Sequence, residues 1–171
     1  MAETTPIRVR QVVDWSAAVW AGIIAGMVTL LLNVFVMPMY IGGNGWLVIR
    51  YFASIALGEG VLPPPSSPHA GALVTAIVMQ LVLSVAFTLV LAFIIHRGGL
   101  VAGVLGGAAF GLGVYCINFF LMTRFFDHFN IGNSFLVFSH LIFGALAGGL
   151  YEALEVEEFI PIDEQSEGAP E

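Results

Sequence analysis

Lysine is absent from this chain, and its only strong bases are five arginines: Arg8, Arg10, Arg50, Arg97 and Arg124. Nucleic-acid binding rests on clustered cationic side chains, and so sparse a set forms no such footprint, so no nucleic-acid partner is expected. Cysteine occurs once, as Cys116 inside an apolar run. That excludes an intrachain disulfide, a CxxC pair and a CxxCH haem-attachment motif. Charge of either sign is scarce at 10% of residues, and eight of the twelve acids lie between Glu152 and Glu171 with no base among them. The net charge of −7 therefore belongs to the tail, since the rest of the chain sets five bases against four acids. The sequence also lacks a nucleophile placed beside a base, a phosphate-cradling glycine loop and a carboxylate pair within an apolar run. Catalysis by this chain alone is not expected.

What is abundant is apolar surface. Hydrophobic residues make up 58% of the 171 positions, and the mean hydropathy is +0.94. A soluble domain of this size leaves much of its surface in water and cannot hide so much hydrocarbon, so lipid is the expected solvent. A membrane-crossing helix needs about 20 apolar residues. Four segments qualify: about Trp15 to Tyr40, Gly71 to His96, Leu100 to Thr123, and Asn133 to Leu154. Backbone groups in lipid must be satisfied within their own segment, so these are helices. The expected fold is an all-α membrane protein, four transmembrane helices in two tandem hairpins. An interfacial helix within "GNGWLVIRYFASIALGEG" and a polyproline-like spacer "VLPPPSSP" fill the first outer loop.

The chain divides into an N-terminal segment (residues 1–14), a four-helix domain (15–154, outer loop 41–70) and an acidic C-terminal tail (155–171). The first span is too long for a signal-peptide core and is expected to be retained. Arg8, Arg10 and Arg97 fall on one side of the four spans, Arg50 and Arg124 on the other. The positive-inside rule then puts both termini in the cytoplasm, for a multi-pass protein of a prokaryotic inner membrane. The tail is expected to extend span four as helix, then run extended from Pro161, with "FIPI" as a short docking strand. "FFDHFN", Phe125 to Asn130, reads as an interfacial turn in which Asp127 neutralises Arg124.

Spans one and three resemble each other. "AGIIAG" at Ala21 matches "AGVLGG" at Ala102, and "NVFVMPMY" at Asn33 matches "NFFLMTRF" at Asn118. Both copies would cross in the same direction, which makes this a tandem rather than an inverted repeat. Small-residue stripes run through the spans: Gly22 and Gly26 in the first, Gly99, Gly103, Gly107 and Gly111 in the third, Gly144 and Gly148 in the fourth. Such stripes let helix backbones approach closely, either within the bundle or against another subunit.

Each span places one strongly polar side chain in the outer half of the bilayer: Asn33, Gln80, Asn118 and His140. At 1.5 Å per residue three of them lie on the order of 10 Å from the outer helix ends, and Gln80 about 15 Å. Polar groups at that depth face the bundle interior and mark candidate sites. They either bond one another, with His140 partnering Asn33 or Asn118, or hold a lipid, quinone or ion. Haem on His140 is not favoured, because no second axial ligand lies at the same depth. A metal set from His69, Asp127, His128 and His140 has suitable ligand types but no tight spacing.

The stretch "SHLIFGALAGGLYE", Ser139 to Glu152, resembles the last helix of a family of small four-helix membrane proteins of bacteria and archaea that has no assigned activity. His140, Leu141, Phe143, Gly144, Ala145, Gly148 and Tyr151 carry the resemblance. It implies an accessory role beside terminal oxidases or other electron-transfer complexes. The expected function is therefore that of a non-catalytic accessory subunit, packed through glycine faces against other integral membrane subunits of a respiratory or photosynthetic complex. It would have no cofactor of its own, with lipid or quinone as bound molecules. The alternative is a small oligomeric transporter or channel that uses the four polar side chains.

Overall fold

A computed structural model describes residues 9–62, 67–125, 134–156 and 158–161, with the side chains of residues 9, 10, 122 and 159–161 left aside. Among these residues the chain is all-α apart from one short ribbon. Strand β1 (Val9–Val12) leads into α1 (Trp15–Val36) and the single turn α2 (Pro38–Ile41). Then come α3 (Gly45–Leu57), a 3₁₀ turn (Glu59–Val61), α4 (Ala70–Ile95), α5 (Gly99–Phe125), α6 (Ser134–Leu154) and strand β2 (Glu158–Pro161). Four segments are long and apolar enough to cross a membrane: Trp15–Ile41, Ala70–Ile95, Gly99–Phe125 and Ser134–Leu154.

The helix starts follow capping chemistry. Asp14 Oδ1 accepts the Ala17 N–H at 2.9 Å, Asn44 Oδ1 accepts from Leu47 at 3.2 Å, and His69 Nδ1 accepts from Ala72 at 2.9 Å. Each satisfies an N–H that the first helical turn leaves without a carbonyl. Span one reaches Ile41 but is broken within its length. Pro38 has no N–H to continue the ladder, so α1 stops at Val36 and α2 forms a separate turn. The freed end is crowded: a Cβ at Gly45 would lie 2.9 Å from the Val34 carbonyl oxygen, so only glycine lets α3 begin there.

In packing, α1 lies against α4, α5 against α6, and α6 also against α1. The sequence of neighbours is thus α4–α1–α6–α5. The α4–α5 seam that would close the ring is sparsely packed. The main core lies where α1, α4 and α6 meet. Ala17, Ala18, Ala21 and Ala25 of α1 face Leu91, Ala92 and Ile95 of α4, and Phe143, Ala147 and Tyr151 of α6. Side chains this small on α1 let two helices approach it at once.

The glycine stripes are consumed inside the chain. A Cβ at Gly107 would collide with the Gly144 carbonyl, one at Gly103 with Gly148, and one at Gly111 with the His140 carbonyl. On α1, a Cβ at Gly22 would sit 2.8 Å from Val85 Cα, and one at Gly26 2.5 Å from Ser84 Oγ. These faces are buried against their own neighbours, so a partner subunit would have to dock elsewhere. Gly99 departs from expectation. It opens α5 at φ +71, with nothing within 4 Å of a Cβ, so its role is backbone conformation and not packing.

The extended stretch of the tail begins at Glu158 rather than Pro161, and its partner is the chain's own N-terminal strand. Val9 pairs with Pro161 and Val12 with Glu158 in an antiparallel ribbon. Asp14 reinforces this closure, because its Oδ2 accepts the Val156 N–H at 3.2 Å. In the connection between α1 and α4, buried Arg50 donates from Nη1 to the Val61 carbonyl at 2.8 Å. It also donates from Nε and Nη2 to the Ser67 carbonyl at 3.1 and 3.0 Å. The proline spacer at 63–66, Arg8, the Asp127–His128 turn and the tail beyond 161 lie outside the described residues.

Candidate functional site

The four polar side chains picked out from the sequence come together at one cavity of about 150 Å³. Asn33 of α1, Gln80 of α4, and Asn118 and His140 of α5 and α6 all line it, while Phe52 and Ile55 of α3 form the cap.

Two neighbouring residues of α6 serve the two asparagines. Ser139 Oγ donates to Asn33 Oδ1 at 3.1 Å, and Asn33 Nδ2 donates to the Thr29 carbonyl at 2.9 Å. One residue on, His140 Nε2 lies 3.2 Å from Asn118 Nδ2, and His140 Nδ1 lies 2.8 Å from the Leu136 carbonyl. A carbonyl can only accept, so Nδ1 carries the proton and a neutral ring leaves Nε2 to accept from the Asn118 amide. His140 is thus the partner of Asn118, and Asn33 is held by Ser139. The imidazole stands edge-on to Tyr115, with centroids 5.6 Å apart.

Gln80 is held more loosely. Its Nε2 lies 3.4 Å from the Gly26 carbonyl and 3.3 Å from Ser84 Oγ, both beyond the usual N–H···O range.

This arrangement bears on chemistry. Ser139 and His140 are adjacent in sequence but bond in different directions, so they do not form a nucleophile–base pair. Both imidazole nitrogens are engaged, and an axial bond to iron would require breaking the Asn118 contact. His69 spends its Nδ1 on the start of α4, and the other members of the expected metal set, Asp127 and His128, lie outside the described residues. Among the described residues no three His, Cys, Asp or Glu side chains group as metal ligands.

Ser139, Ser84, Thr29 and Tyr115 also line the cavity and were not singled out by the sequence. A hydroxyl within a helix commonly bonds back to its own turn, as Thr29 does to the Ala25 carbonyl at 2.8 Å. Nothing in the sequence separates such a residue from one that reaches across, as Ser139 does. Its place immediately before His140 was the one available signal.

Comparison with models of protein families gives no match, and neither does comparison with characterised proteins or with solved structures.

Proposed function

We propose that this chain is a non-catalytic accessory subunit of a larger membrane complex, of the electron-transfer kind, which shelters an amphiphilic molecule in the cavity between α4 and α5. One observation carries the reading: four polar side chains from four helices converge on a single cavity, and no reactive pair is built there. The chain crosses a prokaryotic inner membrane as two tandem hairpins with both termini in the cytoplasm, and α3 lies in the opposite interface. Support for the duplication comes from Asn33 and Asn118, which occupy matching places in spans one and three and both reach the same cavity. Gly22 and Gly26 meet α4 as Gly103 and Gly107 meet α6. Partner subunits then dock on the outward faces of α4 and α5, where Val74, Val78, Val82, Val101 and Leu105 are exposed.

The test is extraction from native membranes in mild detergent, then native gel electrophoresis with mass spectrometry and an in-gel haem stain. Migration in a fixed ratio with redox subunits is expected. Migration alone or as a homo-oligomer would overturn the accessory role. The convergence of the four side chains also favours a second reading, a small oligomeric transporter. That reading requires flux by the chain alone in liposomes.

A further inference from the structure

Resting on the proposal that the cavity shelters an amphiphile, we infer that its occupant is an isoprenoid quinol, bound by its head ring with its tail leaving between α4 and α5. Size decides first. A cavity of about 150 Å³ is what an engineered protein interior needs to hold one benzene ring. A porphyrin, or a phosphoglycerol head with two acyl chains, is far larger.

The walls agree with a flat ring. Phe52, Phe87, Phe119 and Phe143 line the space, with Tyr115 and His140 beside them. No lining residue carries a fixed charge, so a phosphate head or an ion would be desolvated without compensation, whereas a neutral ring is not penalised.

The hydrogen-bonding balance then selects the oxidation state. Asn118 gives one N–H to His140 and Gln80 turns its amide nitrogen loosely to Gly26 and Ser84, while their carbonyl oxygens bond to no described residue. Neither oxygen is a sealed atom, so each keeps some open surface. Two free acceptors call for a ligand that donates. A quinol has two hydroxyl donors; a quinone has none. The doorway is the loose α4–α5 seam. Leu83 lines the cavity and is 37% exposed, so an apolar tail leaving past it crosses no polar barrier. The chain binds the ring and transfers no electrons.

The test uses the purified full-length chain in nanodiscs, titrated anaerobically with a short-tailed benzoquinol kept reduced by dithionite, and separately with its quinone. Saturable binding is expected at about one site per chain, with the quinol held about fivefold tighter for one additional good hydrogen bond. Asn118→Leu is expected to weaken quinol binding about tenfold or more as two polar contacts go. Val114→Phe places a ring inside the cavity, and Leu83→Trp blocks the doorway from the lipid side. Both should lose binding, and Leu83→Trp should keep the wild-type melting temperature because that position is already exposed. The inference is overturned if no saturable binding occurs, if the quinone binds at least as tightly as the quinol, or if Leu83→Trp binds like the wild type. Its failure is separable from that of the accessory role. A chain that co-migrates with partner subunits but takes no quinol loses only the ligand, and one that binds quinol but migrates alone loses only the host complex.

Discussion

Replacing Gly144 by alanine tests the α5–α6 seam most directly. The added Cβ would collide with the Gly107 carbonyl oxygen, and would stand 2.8 Å from both the Gly107 carbonyl carbon and the Gly111 nitrogen. All three atoms are backbone, so none can rotate aside. The helices must part by roughly 1 Å to restore ordinary contact, and interiors packed at crystal density absorb such shifts poorly. The separation also loosens the flanking contacts of Gly103 with Gly148 and of Gly111 with His140. Overpacking of this kind costs roughly 1–3 kcal/mol, and alanine's better helix propensity returns up to about 1 kcal/mol. A net loss of about 1–2 kcal/mol lowers Tm by roughly 2–8 °C for a chain of this size. Gly113→Ala is the control. It lies on the partner helix α5, but its Cβ would meet nothing within 4 Å, so propensity alone acts and Tm should hold or rise slightly. The assay is thermal unfolding in nanodiscs, followed by fluorescence of the three tryptophans. Equal melting temperatures for the two variants would refute the claim that close backbone approach holds this pair of helices.

Asp14→Ala removes a helix cap and the link to Val156, and should cost about 1–2 kcal/mol in chemical denaturation. The Ala17 N–H holds the Asp14 carboxyl below its usual value of 3.8. Its contribution is therefore present above the unfolded-state pKa and is lost as pH falls through the lower folded value. The wild type should lose stability below about pH 4 more steeply than Asp14→Ala, and parallel acid profiles would contradict this. Arg50→Leu deletes the charged donors to Val61 and Ser67, with a loss of about 2–3 kcal/mol. Hydrogen exchange should rise in peptides containing those two residues, and unchanged protection would count against the clamp. Ser139→Ala breaks the bond to Asn33 and should cost only about 0.6 kcal/mol, the usual worth of one interhelical hydrogen bond in a membrane. A loss of several kcal/mol would mean that Asn33 has no other partner to turn to.

The spans were legible from the sequence because crossing lipid is a local requirement. Twenty consecutive apolar residues satisfy it whatever lies beside them, and the four long helices stand within a few residues of where hydropathy places them. Pro38 marked the early end of α1, although hydropathy alone carried the span through it. Glycine spacing showed that helix pairs approach closely, since a stripe without side chains has little other use in lipid. It could not show which pairs, nor that Gly99 stands apart, because spacing does not report a backbone φ of +71.

The polar cluster was read as four isolated depths along four helices. Depth is one-dimensional, whereas a cavity depends on the rotation of each helix about its axis. Only the packed bundle turns Asn33, Gln80, Asn118 and His140 toward one space, pairs His140 with Asn118, and leaves the α4–α5 seam loose enough to open it. The sequence by itself determined that this is a chain of four apolar helices, each with an amide or imidazole at similar depth, because composition and hydrocarbon thickness act residue by residue. The tertiary structure alone decided that those residues share a single ring-sized cavity, and that the N-terminal strand closes on the tail, because both depend on contacts between segments far apart in the chain.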